Sequence, residues 1–285
     1  MSQLSQTTFR VATYNAHRVF DAYDDPKTRD GRPKSERSLQ AVAQVLSDCD
    51  ADIVALQEIE NVEMLEDIQG RGDLFEKYPH CVLVEGHDKK GIDVAFMSRY
   101  PIKHFESHAG ESGSGRRFQR PLLEIEVDLP DQSTLTVFNG HFVASFNDWC
   151  DSQRLWEAAE TSRLAALKMR EKREGHVVVV GDLNDSEGSR VLRTLGEVSL
   201  KNATIGLPPS WGTTWKTQYD PALIDHILYS SSLAENFVDS GVFHHPEDYT
   251  ASDHRLVWAD FNLSSDDDRI RACQTSPHHQ LRTAS

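Results

Sequence analysis

The stretch Val177-Val-Val-Val-Gly-Asp-Leu-Asn184 runs four β-branched residues into a glycine and two polar side chains. Four valines in a row show no alternation, so both faces of the strand they predict are buried. Such a strand belongs inside a layered α/β structure, and this one ends on Asp182 and Asn184. Asp52-Ile-Val-Ala-Leu-Gln-Glu58 repeats the pattern and ends on Glu58. Phe9-Arg-Val-Ala-Thr-Tyr-Asn15 brings Asn15 to the end of a third strand. Strand ends are where α/β folds keep their sites.

Further strands are predicted over Gly91–Ser98, Leu122–Leu129, Leu135–Phe142, Ile224–Tyr229 and Arg255–Phe261. Leu39, Val42, Ala43 and Leu46 fall at i, i+3, i+4 and i+7, the spacing of a helix with one apolar face. A longer helix is expected from about Ser152 to Lys172, with Leu155, Ala159, Leu164 and Leu167 among charges, and another near Arg190. The segments Asp21–Ser35 and Ser107–Arg120, rich in Gly, Pro, Ser and charge, read as loops. Many strands with few helices imply layered sheets covered by helices. There is no repeat and no break in composition, so one domain is expected over residues 8–263. A polar, flexible tail is expected over 264–285.

The 285 residues carry 30 Lys+Arg against 45 Asp+Glu, a net charge of −15. That balance argues against a salt-driven polyanion-binding surface covering the protein. No apolar run approaches the roughly 18–20 residues of a membrane span. The opening MSQLSQTTFR has neither a basic nor an apolar signal region, and Cys49, Cys81, Cys150 and Cys273 form no CxxC pair. The expectation is a cytoplasmic protein with reduced thiols, no membrane insertion and no inferred protein partner.

Each polar strand end has a plain reading when taken alone. Asn15 ends a strand in a turn, Glu58 beside Asn61 caps the next segment, and His141 is a satisfied core histidine. Their accumulation argues otherwise, because buried charges are penalised unless they pair or bind a metal.

The ordered set Thr-Tyr-Asn15, Leu-Gln-Glu58, Asn-Gly-His141, Gly-Asp182-Leu-Asn184, Ile-Asp225-His and Ser252-Asp253-His254 resembles the endonuclease/exonuclease/phosphatase superfamily, the DNase I-like fold. The resemblance spans roughly residues 9–261. It implies a four-layered α/β sandwich with two central, mostly antiparallel β-sheets flanked by helices. It also implies hydrolysis of phosphate esters dependent on Mg²⁺ or Mn²⁺, a hard cation suited to carboxylate and water ligands.

By the same resemblance Glu58 is the principal metal ligand, with Asn15 beside it and Asp253 completing the site. Asp182 orients and deprotonates the attacking water. His254, held by Asp225, sits on the phosphoryl oxygen or carries a proton. Asn184, His141 and Arg120 contact the phosphate. Asp93 is placed either to support His141 or as a strand-end carboxylate. Arg116 and Arg117 either add charge to the groove or are solvated. One departure stands out: two residues after Asn15, where some members carry a second metal carboxylate, this chain has His17.

The expected activity is a nuclease acting on DNA or RNA. The alternatives are a phosphoesterase of a small molecule or lipid, and a non-catalytic binding module of the same fold. Pro-Ala-Trp-Cys-Asp-Arg, expected of an inositol-polyphosphate phosphatase, is absent. No aromatic membrane hairpin is visible either, since Trp149, Trp156, Trp211 and Trp215 are dispersed in polar sequence.

Overall fold

The computed structural model describes residues 8–23, 31–86, 88, 90–109, 115–171, 175–207, 213–215 and 222–263. The expected tail, Cys273 and Trp211 lie outside these residues, as does the middle of the Asp21–Ser35 segment.

The chain opens with β1 (Thr8–Val19), α1 (Glu36–Cys49), β2 (Ile53–Ile59), α2 (Val62–Gln69), α3 (Leu74–Lys77), β3 (His80–Val84) and β4 (Asp93–Ser98). It continues with β5 (Ile102–Ser107), β6 (Leu123–Asp128), β7 (Thr134–His141), α4 (Asp148–Glu171), β8 (His176–Asp182), α5 (Arg190–Gly196), β9 (Leu200–Asn202) and β10 (Asp225–Ser230). It closes with β11 (Phe237–Val242), α6 (Asp248–Ala251) and β12 (Val257–Asn262).

Two six-stranded sheets result, ordered β11-β12-β1-β2-β4-β3 and β5-β6-β7-β8-β10-β9. Their connectivities match. Each centres on a parallel pair joined through a helix, β1 with β2 and β7 with β8. Every other pairing is antiparallel. This is the expected sandwich.

Alternation assigns the layers. In β8, Val178 and Val180 face the other sheet while Val177 and Val179 face the helices. In β2, Ile53 and Ala55 point between the sheets, and Val54 and Leu56 pack under α1. The core between the sheets brings Val11, Phe96, Ile125 and Val137 together. Each fully buried valine contributes about 1.5 kcal/mol or more, and the register they set also aims the site. A slip of one residue would send Asp182 to the opposite face.

Local signals start the helices. The Ser35 hydroxyl accepts the Ser38 amide at the head of α1, and the Asn61 side chain accepts the Met64 amide at the head of α2. Asn61, not Glu58, is therefore the cap. The longest helix starts earlier than expected, at Asp148, and buries Gln153, Arg154, Glu157 and Thr161. Leu167 is exposed. Cys49, Cys81 and Cys150 are unbridged.

Candidate active site

The carboxyl ends of both parallel pairs open on the same edge of the sandwich. β1 and β2 bring Asn15 and Glu58 there, and β7 and β8 bring His141 and Asp182. Asp225 opens β10 directly opposite Asp182, and His254 lies just ahead of β12.

One close approach makes this possible. Gly140 and Gly181 are register partners, as are His141 and Asp182. Gly181 has φ +137°, and a Cβ there would fall 1.8 Å from the Gly140 carbonyl oxygen. Only glycine fits. Glu58 and Asn184 also hold left-handed backbone, at φ 63° and 51°. Such conformations cost energy in a non-glycine residue, and they cluster where function requires an aimed side chain.

Asp182 is the hub. Its Oδ2 accepts Asn15 Nδ2 at 3.0 Å and lies 3.5 Å from His141 Nε2 and 3.8 Å from His254 Nε2. Its Oδ1 accepts the Asn184 amide at 3.0 Å. The same Asn15 nitrogen reaches Glu58 Oε1 at 3.3 Å, and Glu58 Oε2 accepts the Arg18 amide at 2.9 Å. Asn15 thus holds two carboxylates together with its nitrogen, while its oxygen accepts the His17 amide.

His254 Nδ1 pairs with Asp225 Oδ2 at 2.8 Å. Burial opposes charge on this imidazole, but Asp225 and then Asp182 outweigh it and raise its pKa, so His254 is cationic at neutral pH. His141 is the opposite case. Burial, with Arg120 and His254 adding to it, holds its pKa well below the usual value, so it is neutral. Its Nδ1 is buried without a hydrogen-bond partner, unlike a satisfied core histidine. Asp93 does not support it: Asp93 Oδ1 instead accepts the Gly86 amide at 2.7 Å. Burial, reinforced by Asp225, holds the Asp182 carboxyl above its ordinary range.

The remaining expected residues stand around this hub. Asn184 Nδ2 donates to the Phe142 carbonyl at 2.9 Å. Arg120 reaches the same carbonyl at 3.2 Å and lies 3.3 Å from Asp88. Asp253 faces His17, with Oδ1 3.4 Å from Nδ1. Arg116 donates to Ser152 at the head of α4, so it is anchored at its tip. Lys34, at the end of the polar insert, donates to the His17 carbonyl at 2.9 Å. Burial, opposed by Asp253 and Glu58, lowers its pKa to about 8.

Two supporting roles escape sequence reading, that of Ser252, which stands in the quoted motif without a role, and that of Thr214. The Ser252 hydroxyl donates to the Asn15 carbonyl and accepts the His254 amide. Thr214 accepts the Ile224 and Asp225 amides and so fixes the start of β10. Ser252 carries a faint signal, a hydroxyl two residues before a histidine. Thr214 carries none.

The donor set suits a hard divalent cation. Glu58, Asp182 and Asp225 supply carboxylate oxygens, and the Asn15 amide ties Glu58 to Asp182. Ligand atoms of Asp182, Asp225 and His254 lie within 4.8 Å of one another. In that trio His254 Nδ1 is already engaged by Asp225 Oδ2, whereas the Glu58 carboxylate is held only by the Asn15 and Arg18 nitrogens.

Paired carboxylates and two imidazoles gathered at the shared edge of two sheets fit a metal-dependent hydrolase of phosphate esters. The chain matches the Endonuclease/Exonuclease/phosphatase family over residues 12–254 and belongs to it. Similar solved structures include SmcL, at 18% identity and TM-score 0.68, covering 90% of this chain and 99% of that one. Truncated Caenorhabditis elegans TDP2 is similar at 17% identity and TM-score 0.64, covering 90% and 98%. D. rerio TDP2 complexed with single strand DNA product is similar at 16% identity and TM-score 0.64, covering 90% and 100%. At these identities the likeness establishes the fold. No curated protein matches the chain in sequence. No helix among the described residues is long and apolar enough to cross a membrane.

Proposed function

We infer that the chain is a nuclease, a phosphodiesterase that cuts DNA or RNA with Mg²⁺ or Mn²⁺. The observation that carries this reading is Asp182 Oδ2, which lies between the Nε2 atoms of His141 and His254, 3.5 Å and 3.8 Å away. One carboxylate oxygen flanked by two imidazoles from the two sheets is arranged to handle a water beside a phosphate.

Glu58, flanked by Asn15 and Asp253, would hold the cation. When bound, the cation offsets phosphate charge and polarises the bond to the leaving oxygen. Asp182 orients the water and takes its proton as the water oxygen bonds to phosphorus and the ester P–O bond breaks. His254, charged against Asp225, faces the phosphoryl oxygens, and His141, Asn184 and Arg120 complete that cradle. The catalytic domain of this reading is residues 8–263, and its compartment is the cytoplasm. The same fold accommodates a single-strand DNA product in a similar protein.

A second reading, hydrolysis of a small-molecule or lipid phosphoester, is favoured by one observation. The net charge of −15 opposes extended contact with a polyanion.

A substrate panel tests both: supercoiled plasmid, single-stranded DNA, RNA, bis(4-nitrophenyl) phosphate, a monoester and sphingomyelin, each with Mg²⁺ or Mn²⁺. EDTA and Asp182→Asn serve as controls. Nucleic-acid cleavage abolished by both controls upholds the nuclease reading. Monoester or lipid turnover without nucleic-acid cleavage replaces it with the second.

A further inference from the structure

Six aromatic side chains among the described residues are large and exposed: Tyr23, Phe75, Phe105, Phe146, Trp149 and Tyr249. Four of them stand on segments at the site edge. Tyr23 follows β1, Phe146 and Trp149 follow β7, and Tyr249 precedes His254 by five residues. Phe146 is 84% and Trp149 59% exposed, which is costly for residues with no packing role.

Their segment is held firmly. It leaves β7 at His141, whose neighbour Phe142 gives its carbonyl to Asn184 and Arg120. Asn147, between the two aromatics, accepts the Cys150 amide and starts α4. Buried Glu157 accepts the Val143 and Gln119 amides, and buried Arg154 donates to the Val143 carbonyl. The polar stripe that α4 buries thus clamps the rim of the site to the helix.

A cation is fixed on the same rim. The Arg116 guanidinium donates to the Ser152 carbonyl at 3.1 Å and to its hydroxyl at 3.2 Å. Ser152 lies three residues after Trp149, on the same face of the helix. Arg116 is therefore held within about a side-chain length of an exposed indole, on the helix that follows β7. Aromatic faces beside a cation are how proteins hold unpaired nucleotides, with bases on the rings and phosphate on the cation.

A bilayer fits these residues less well. Asn147 and Asp148 separate Phe146 from Trp149, and Glu247 precedes Tyr249 by two residues, so polar residues interrupt the apolar ones on these described segments.

We propose that Phe146, Trp149 and Arg116 form a stacking platform for an unpaired base beside the scissile phosphate, which makes single-stranded nucleic acid the substrate. This deepens the nuclease reading and rests on it. Few stacked bases and one fixed cation also suit an acidic protein, because affinity then depends little on neutralising many phosphates.

The test compares wild type with Phe146→Ala/Trp149→Ala and with Arg116→Gln. The substrates are a single-stranded oligonucleotide, the same strand with abasic positions flanking the cut, its duplex, and bis(4-nitrophenyl) phosphate. The double variant is expected to raise KM for the intact strand about tenfold or more. Its turnover of the small diester should stay within about twofold of wild type, which shows an intact fold and catalytic centre. Wild type should lose a similar factor on the abasic strand, whereas the double variant should not distinguish the two strands. Arg116→Gln should weaken the salt dependence of KM.

Nucleic-acid cleavage that is indifferent to the aromatics, or a duplex cut as well as the single strand, overturns the platform and leaves the nuclease reading standing. Small-diester turnover with no nucleic-acid cleavage overturns the nuclease reading itself. Binding of wild type to phosphatidylcholine–sphingomyelin vesicles that Trp149→Ala abolishes, without oligonucleotide binding, assigns the aromatics to lipid and overturns the proposal.

Discussion

Gln57 and Asn139 hydrogen-bond across the interior of the sandwich, Nε2 to Oδ1 at 2.7 Å, one from each sheet. Gln57 immediately precedes Glu58, and Asn139 stands two residues before His141. The Asn139 amide also donates to the Leu56 and Ala95 carbonyls at 2.9 Å each. Beneath the site, therefore, the sheets are joined by directional bonds rather than by apolar contact alone. Directional bonds fix position where packing only favours it.

Removing that tie should cost both stability and activity. Asn139→Ala strands two buried carbonyls, each loss worth about 1–3 kcal/mol, while the Gln57 amide keeps its bond to Thr13 Oγ1 at 3.0 Å. Denaturant unfolding should show a drop of about 2–4 kcal/mol. Gln57→Leu combined with Asn139→Leu should lose less than the sum of the single changes, because neither end of the Gln57–Asn139 bond then faces a missing partner. Additive losses would mean the pair is not coupled.

Asp182→Asn should reduce kcat by about 10²–10⁴-fold, the usual range for loss of a general base. Asn15 and Asn184 both donate to this carboxylate, so a carboxamide keeps only one of those bonds. Circular dichroism should still report the folded sandwich. Near-normal kcat in the variant would remove Asp182 from the chemistry.

Gly181→Ala tests the close approach of β7 and β8. The new methyl would meet the Gly140 carbonyl at 1.8 Å, and neither strand can yield without breaking the parallel pair. A loss of about 3 kcal/mol or more is expected, with activity lost ahead of the fold. Thermal unfolding measured beside turnover gives the comparison, and a variant as stable as the parent would contradict the geometry.

The Asp93 carboxyl makes stability depend on pH. Burial pushes its pKa from 3.8 to about 7, with Glu85 and Asp88 adding to the effect, while the Gly86 amide and Arg120 oppose it. Between these values the folded protein holds a proton that the unfolded chain has released. This group's contribution therefore falls as pH rises through the window, and the penalty is complete above about 7. Asp93→Asn should be more stable than wild type at pH 8 by about 1–3 kcal/mol, and the gap should close toward pH 5. Urea melts at both pH values measure it, and a gap independent of pH would rule the titration out.

Metal removal should silence turnover, and added Mg²⁺ or Mn²⁺ should restore it. Glu58→Gln should weaken cation affinity by about tenfold or more, since ligand charge sets affinity for hard cations. Isothermal titration with Mn²⁺ reads this without reference to activity. Unchanged affinity would move the cation away from Glu58.

The eight interior strands are all legible in the sequence, and the four that are not, β3, β5, β9 and β11, are the four edges. The reason is physical. An interior strand carries either an unbroken buried run, as Val177–Val180 and Ile53–Leu56 do, or a clear alternation, as Leu123–Asp128 does. An edge such as Ile102–Ser107 is mostly exposed and pairs on one side only, so Lys103, His104 and Glu106 interrupt it. The site follows the same rule. Glu58, His141, Asp182 and Asp225 lie at the ends of interior strands, and Asn15 lies where the regular pairing of β1 with β2 breaks although the strand runs on to Val19, so all five could be read directly. Ser252, Thr214 and the Gln57–Asn139 tie work through bonds to backbone or across sheets, and spacing along one chain cannot show these. The polar face of α4 misled for a related reason: Arg154 and Glu157 are buried because they hold the rim, not because they are apolar.

The way the first sheet closes bears on how the protein is made. β12 lies between β11 and β1, so the strand beside the chain's beginning comes from residues 257–262. His254 arrives with it, held by Ser252 against Asn15. While these residues are still inside the ribosome, β1 lacks its neighbour and Asp182 lacks one of its two imidazoles. A growing chain is therefore without a complete centre until residues 252–262 have been made and have folded back beside β1.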